Sequence, residues 1–561
     1  MKLTLASLLV LRGLAGAQVC STEQLSLGPN GEWTDRDSGA PVLSSDGRFV
    51  AFRTIATVFG ASASAPQIVF IDRASGAQEL ITVAQNGQPS SGANLWATPR
   101  GISNDGRFVT FESTGADLTP NDTNASIDVF VRDRLSGATT LLARMADGSN
   151  PGTAAGGEMT WDGRWIAIET SRALVASDTN ASVDVYLLER SSGALVPVSV
   201  DLQGLPAGDA SNSLLSADGR KVVFRSASPN LIAADTNGMP DVFVRDLDLA
   251  TTQRASEAPD DTELDSWSQP RGFSANGRFV AFETSATNAL PGYTRGVYLA
   301  DLERDLVYPI VLGNSPFQVP LDIGPVALSA DGRQCAFISR DALTAGDGNS
   351  TRDVFVRDIA AGVTRLVSAK PDGTASGANA EHVALSADGR AIVFSSRSGA
   401  LTSPPIANGA LDVFVRECSL VAPQVFCAQS PTANHCFPTM AWSGIPSASS
   451  GAAFDVLLTH ARSHKLGLLF YGTNGATLGV LGHSLVCVRP PTVRTSLHNS
   501  GGTPGVDDCS GALAYDFNAR IASGVDPALA VGAVVRTQFW LRDWGAASTY
   551  LSEALAFSIE P

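Results

Sequence analysis

After its first residues, the chain has no apolar run approaching the ~18 residues that a membrane-crossing helix needs. It has no Cys-x-x-Cys pair and no glycine loop ending in Lys-Ser/Thr, so neither a paired-thiol site nor phosphate cradling of a nucleotide has support. Histidine is scarce, at six residues. His460 and His464 stand four apart but lack the intervening Glu of a metal-binding helix, so they read as surface residues. Gly482-His483-Ser484 does not complete a Gly-x-Ser-x-Gly nucleophile elbow, because Val486 follows Leu485. Positive charge is also short: 39 Lys and Arg stand against 55 Asp and Glu, a formal charge of −16. Residues 422–561 hold 7 basic and 8 acidic residues, so residues 1–421 hold 32 and 47 and carry −15 of it. A basic face for nucleic acid or for an anionic membrane is not on offer.

What is abundant is glycine, 53 residues, set in a repeat. Ser44-Ser45-Asp46-Gly47-Arg48-Phe49-Val50-Ala51-Phe52 is the first copy. The turn returns at Asp105-Gly106, Asp162-Gly163, Asp218-Gly219, Asn276-Gly277, Asp331-Gly332 and Asp388-Gly389, at intervals of 59, 57, 56, 58, 55 and 57 residues. A fixed period repeated this often means an array of one supersecondary unit. Asp-Gly between apolar runs is a tight hairpin signal, because glycine supplies the positive φ. In the second copy, strand a lies near Gly101-Ile102-Ser103 and strand b is Phe108-Val109-Thr110-Phe111. A polar loop follows, then strand c, Asp128-Val129-Phe130-Val131-Arg132-Asp133, a Ser136-Gly137 turn and strand d from Thr139. Strand b alternates, with Val50, Val109, Ile166, Val222, Val280, Cys335 and Ile392 at one fixed position and the other face variable. Strand c is apolar without alternation, as a strand buried on both faces must be. Four antiparallel strands, seven times over, predict an all-β, seven-bladed β-propeller.

Ser329-Ala330-Asp331-Gly332-Arg333 with Asp353-Val354-Phe355-Val356-Arg357-Asp358 resembles the TolB-like propellers and their Trp-Asp-like repeats, over residues 18–421. Neither the N-terminal α/β domain of TolB nor the hydrolase domain of peptidases with related propellers is expected from these residues. Residues 419–424 read as a linker, and residues 425–561 as a small β-sandwich. Asp508-Cys509-Ser510-Gly511 and Gln538-Phe539-Trp540-Leu541-Arg542-Asp543 in it look like a C-terminal module of many secreted bacterial proteins. Lys2, the apolar residues 3–11 and Ala15-Gly16-Ala17 read as an export signal over residues 1–17, so a secreted, periplasmic or cell-envelope location is expected.

The last repeat ends after strand c at Cys418, without a strand d, while residues 22–27 form a lone strand in the register of a strand d. Joining the two closes the ring and hides its edges. That places Cys20 across an ordinary c–d turn from Cys418, so a disulfide between them is expected. In the C-terminal module, proximity in sequence suggests Cys427 with Cys436 and Cys487 with Cys509, one of three connectivities. Cys335 replaces a core valine and is expected as a buried free thiol.

Two residue sets carry candidate chemistry. Four b–c loops share Asp-x-Asn and a third carboxylate: Asp122, Asn124 and Asp128; Asp178, Asn180 and Asp184; Asp235, Asn237 and Asp241; Asp347, Asn349 and Asp353. Hard oxygens at this spacing suit Ca²⁺, but the sixth-position Gly and terminal Glu of a calcium loop are missing. An Asx turn that starts strand c explains the pattern without an ion, so any binding should be weak; no other cofactor is implied. The second set lies in the d–a loops: Trp96 and Arg100 in copy two, Trp267 and Arg271 in copy five, and Trp33 in the matching loop of copy one. Aromatic plus arginine at a propeller mouth can hold a sugar or a peptide, and equally can pack between blades. The first reading is therefore a monomeric, non-catalytic binding or scaffolding protein for a protein or glycan partner. A glycan- or peptide-active enzyme and a structural envelope protein are the alternatives. Non-repeat Asp, Glu, His or Tyr gathered in one funnel would favour the enzyme.

Overall fold

The computed structural model describes residues 20–559 except 62–64, 91–96, 125, 146–149, 151, 234, 259, 290–295, 312–325, 345, 360–361, 407, 419–423, 428–435, 437, 445, 447–452, 482–483, 503–507, 530–532 and 543–548. Among the described residues, seven four-stranded antiparallel sheets take up the chain to Cys418. In blade 2, strands a to d are Ala97–Ile102, Phe108–Ser113, Asp128–Asp133 and Ala138–Leu141. Strand a of each blade touches strand a of the next, and the seventh touches the first. The sheets therefore close a ring with the a strands innermost, which is a β-propeller.

Each Ser-x-Asp-Gly-Arg turn is held by its own side chains. Ser44 Oγ accepts the Phe49 N–H at 2.9 Å and donates to Asp46 Oδ1 at 2.6 Å. Gly47 takes φ +77°, which a β-carbon would strain. The residue between Ser and Asp faces the neighbouring blade. Asn104 N–H donates to Trp161 O, Ala217 to Ala275, Ala330 to Ala387 and Ala387 to Ser45, all at 2.7–2.9 Å. These bonds tie the turns of successive blades together around the axis. Inside a blade, the strand-b phenylalanine stacks on the strand-c aromatic, as in Phe111–Phe130 at 5.5 Å and Phe337–Phe355 at 5.8 Å. Each is essentially fully buried, and truncating one to Ala costs about 3–5 kcal/mol.

Blade 7 is made by both ends of the propeller. Its a, b and c strands are Ala380–Leu385, Ala391–Ser396 and Asp412–Cys418, and its fourth is Cys20–Gln24. The antiparallel register sets Cys20 opposite Cys418 and Gln24 opposite Phe414. Cys20 and Cys418 are disulfide-bonded, with Cα atoms 4.0 Å apart. Cys335 is a free, fully buried thiol, and burial pushes its pKa up to about 12.

Residues 424–559 form the β-sandwich: a six-stranded and a three-stranded sheet, a two-stranded hairpin and the short helix Phe517–Ala522. Its first strand, Gln424–Phe426, starts inside the stretch expected to be linker. The core packs Phe454, Phe517 and Phe557 edge to face. The two disulfides differ from the pairs that proximity suggested. Cys427 bonds Cys487, and Cys436 bonds Cys509. The reason is layering. Cys436 and Cys509 lie just before Thr439–Ser443 and Gly511–Asp516, the outer strands of the three-stranded sheet. Cys427 leaves the larger sheet, against which the hairpin strand Ser484–Val488, carrying Cys487, is packed. Neighbours in sequence were thus sent to different layers. Among the described residues, no helix is long and apolar enough to cross a membrane.

The sandwich sits on the mouth of the ring that carries the Asp-Gly turns. Ala217, Ala275, Ala330 and Ala387, one from each of four turns, pack with Phe426, Cys427, Cys487, Ala554 and Ala556. Around this apolar centre, Arg536 pairs with Asp388, Arg489 with Asp46 at 2.8 Å, and Arg333 with Glu553 at 3.2 Å. The chain reaches this mouth directly, because strand c of blade 7 ends there.

Candidate functional site

The opposite mouth carries the b–c and d–a loops, and the channel behind it is lined by strand a. A register shift interrupts strand a in six blades, between Pro99 and Gly101 in blade 2 and between Pro270 and Gly272 in blade 5, for example. A bulge re-aims the side chain it carries. The bulged residues in these two blades are Arg100 and Arg271. Arg100 forms an ion pair with Glu112, and Arg271 Nε donates to Glu283 Oε2 at 2.8 Å. Glu112 and Glu283 are buried at the fifth position of strand b. Their arginines keep about 41% and 26% of the side chain exposed. Each pair thus holds one edge of a guanidinium and leaves part of it accessible.

The same position is Glu169 in blade 3. Glu112 accepts Gly156 N–H at 2.9 Å, and Glu169 accepts Ser213 N–H at 2.7 Å, in each case from strand a of the next blade. These carboxylates staple neighbouring bulges together. Glu158 belongs to the bulge of blade 3 and is differently placed. Burial lifts its carboxyl to about 7, against the Leu215 N–H and Arg100, with Glu169 adding to the rise. In blade 7, His382 Nδ1 lies 3.0 Å from Ser395 Oγ. Burial lowers its pKa, Glu381 opposes this and Arg53 adds to it.

The structure separates the residues singled out from sequence. Arg100 and Arg271 come to the channel in equivalent positions. Trp267 is half-buried just before strand a of blade 5, and its carbonyl accepts Thr284 Oγ1 at 2.9 Å. Trp96 lies outside the described residues. Trp33 is 49% exposed in the d–a hairpin of blade 1, where Leu27 bridges Trp33. It does not match Trp267, since the residue before strand a of blade 1 is Asp37. Sequence reasoning missed Glu112, Glu158, Glu169, Glu283 and His382. For Glu112, Glu169 and Glu283 the signal was the variable face of strand b, where they, with Arg53 and Arg225, interrupt an otherwise apolar repeat.

The Asp-x-Asn loops build Asx turns. Asn180 Oδ1 accepts Ser182 N–H at 2.8 Å, Asn349 accepts Thr351 at 2.7 Å, and Asn124 and Asn237 accept Ser126 and Met239. The asparagine amide then donates to the closing aspartate: Asn180 to Asp184 at 2.9 Å, Asn237 to Asp241 at 3.1 Å and Asn349 to Asp353 at 2.9 Å. Asp128 receives Asn150 instead, at 3.0 Å. Protein donors also occupy the far oxygens, Ser199 on Asp184 at 2.8 Å and Ser256 and Ser368 on Asp241 and Asp353 at 2.6 Å. The leading aspartates differ. Asp122 accepts Asn124 N–H, and Asp178 accepts Asn180 N–H and Tyr186 Oη–H. Both carboxylate oxygens of Asp235 and of Asp347 are buried without a hydrogen-bond partner. Burial raises each to about 6, helped by Asp241 and Asp353 respectively. Among the described residues, Asp235 and Asp241 are the members of these sets that converge with a further acid, Glu263, at mutual oxygen distances within 4.8 Å. Arg254 already supplies a cation there, paired with Glu263.

Comparison with solved structures returns propellers. The β-propeller domain of the trilobed protease from Pyrococcus furiosus aligns over 68% of this chain and 93% of its own, at 12% identity and TM-score 0.43. An acylaminoacyl peptidase from Pyrococcus horikoshii aligns over 76% and 59%, at 11% identity and TM-score 0.40. The RRP9 WD40 repeats align over 71% and 97%, at 12% identity and TM-score 0.39. No family model matches the chain, and no curated protein does.

Proposed function

We propose that this chain is an exported TolB-like propeller that binds a protein or glycan partner at its long-loop mouth, without catalysis. The observation that carries this reading is the asymmetry of the two mouths. The C-terminal sandwich occupies the short-turn mouth through a buried apolar centre and three ion pairs. The long-loop mouth leads to the half-exposed Arg100 and Arg271. Loops on a rigid scaffold are where binding residues concentrate. The three disulfides suit an oxidising compartment.

One observation favours an enzyme instead. Glu158 holds its proton near neutral pH, with Glu169 adding to the rise, and a carboxyl tuned to that range can serve as a general acid. Glu169, however, is engaged by both the N–H and the hydroxyl of Ser213. The test is a pull-down from secreted and envelope fractions with a glycan array beside it, using wild type, Trp267→Ala with Arg271→Ala, and Glu158→Gln. A partner retained by wild type and lost from the double variant at unchanged melting temperature supports the binding reading. Loss of stability alone makes these packing residues. Turnover of a captured glycan or peptide that Glu158→Gln abolishes would replace binding by catalysis.

A further inference from the structure

In four blades the turn arginine pairs with the acidic residue that ends strand c of its own blade, while Arg220 turns to Asp248 and Arg333 to Glu553. Arg48 meets Asp72 at 2.7 Å, Arg107 meets Asp133 at 2.7 Å, and Arg278 meets Asp301 at 2.6 Å. In blade 7 that acidic residue is Glu417. It is taken by Arg73 of blade 1, at 2.7 Å. In blade 2 the residue matching Arg73 is Arg134, which turns to Glu79 at 2.8 Å and leaves Asp133 to Arg107. The exchange at the closure seam strands Arg390. Its side chain is buried, at 9% exposure, and its Nε donates to Cys418 O at 3.3 Å. Asp388, two residues earlier in the same turn, is held by Arg536 of the sandwich.

Arg390 does not face protein alone. With Arg48, Arg73, Arg489 and Arg536 it lines a cavity of about 720 Å³ at the seam of blades 7 and 1 and the sandwich. Asp46 and Glu417 are the carboxylates in that lining, and both are engaged, by Arg489 and Arg73. Four of these five guanidiniums have a carboxylate, Arg48 on Asp72, Arg73 on Glu417, Arg489 on Asp46 and Arg536 on Asp388, so the lining carries one positive charge without an ion pair of its own, that of Arg390. A buried charge without a counter-charge is costly. A guanidinium fork matches an oxyanion with two parallel hydrogen bonds. We propose that this cavity binds an oxyanion group, a carboxylate, sulfate or phosphate, with Arg390 as its principal contact.

The test is calorimetry and thermal shift on the full chain with sodium sulfate, sodium phosphate and sodium glucuronate, against sodium chloride at equal ionic strength. Saturable binding of at least one probe is expected, with a raised melting temperature. Preference for glucuronate would assign the carboxylate of an acidic sugar, and preference for sulfate or phosphate a tetrahedral ion. Arg390→Gln should weaken binding by about tenfold or more, the worth of a hydrogen bond to a charged group. Arg73→Gln should do the same by returning Glu417 to Arg390, and it carries the test if Arg390→Gln does not fold. No saturable binding beyond the chloride control, or undiminished binding in the folded variants, overturns the proposal.

Discussion

The two mouths of the ring are made by the same repeat and are built for different ends. At the short-turn mouth, each turn is a closed hydrogen-bonded loop, five of the seven are tied to the next blade by a backbone bond, and the sandwich covers them. At the long-loop mouth, the loops vary in length and content, and aspartates are buried there without partners. Stability is concentrated at one end, and at the other some is given up. A surface free to change its side chains needs a scaffold that does not depend on them.

The largest break in this contrast is at the covered mouth. Asp388 and Arg536 are both buried, at about 3% and 6% side-chain exposure. Arg536→Ala would leave Asp388 charged and unpaired, a loss of about 3–5 kcal/mol. Calorimetry should then show the sandwich melting apart from the ring. A single unshifted transition would mean that the apolar centre alone holds the interface. Next is the latch. Cys20→Ser with Cys418→Ser opens a loop spanning 398 residues, for an expected loss of about 2–5 kcal/mol in denaturant unfolding. Breaking Cys436–Cys509, with its separation of 73 residues, should cost less. Equal costs would show that the closure strand holds blade 7 without its disulfide.

Much of this was legible in the chain itself. The Asp-Gly period announced the ring, and the missing fourth strand of the last repeat announced its closure, because both are local signals repeated in register. The sandwich was less legible. Its cysteines pair by layer, and layer is a property of topology that spacing along the chain does not encode. The channel was half legible. Trp-x-x-Pro-Arg appears twice and pointed to Arg100 and Arg271, but their partners Glu112 and Glu283 hide among the variable positions of strand b. The stranded Arg390 is invisible in sequence, since its repeat is intact and only its partner has been taken.

At the open mouth the expected effects are smaller. Asp347 is 5% exposed, and its carboxyl is raised to about 6 from an ordinary carboxylate value near 3.8. The folded state therefore holds this proton more tightly than the unfolded one. Its contribution to stability falls as pH rises from about 4 to 6 and stays unfavourable above that. Asp347→Asn should thus stabilise the chain at pH 7.5, by about 1 kcal/mol, and the gain should vanish near pH 4. A calcium titration is expected to find no micromolar site. A micromolar site that Asp347→Asn removes would show that the carboxylate awaits an ion and that the Asx turn is not its whole purpose.

The smallest effect should come from Trp33. It is large, apolar and 49% exposed, yet it stands in a hairpin whose backbone closes itself, Gly28 N–H to Glu32 O at 2.8 Å. Trp267 is half-buried, and its carbonyl is tied to strand b. If the loops of this mouth are relieved of structural duty, Trp33→Ala should leave the unfolding free energy within about 0.5 kcal/mol of wild type, as for a surface change away from caps and cores. Trp267→Ala should lower it measurably. Denaturant midpoints of the two variants, measured side by side, decide the matter. Equal and large losses would place Trp33 in the packing of blade 1 and remove it from the binding surface. An unchanged midpoint with loss of a captured partner would place it on that surface.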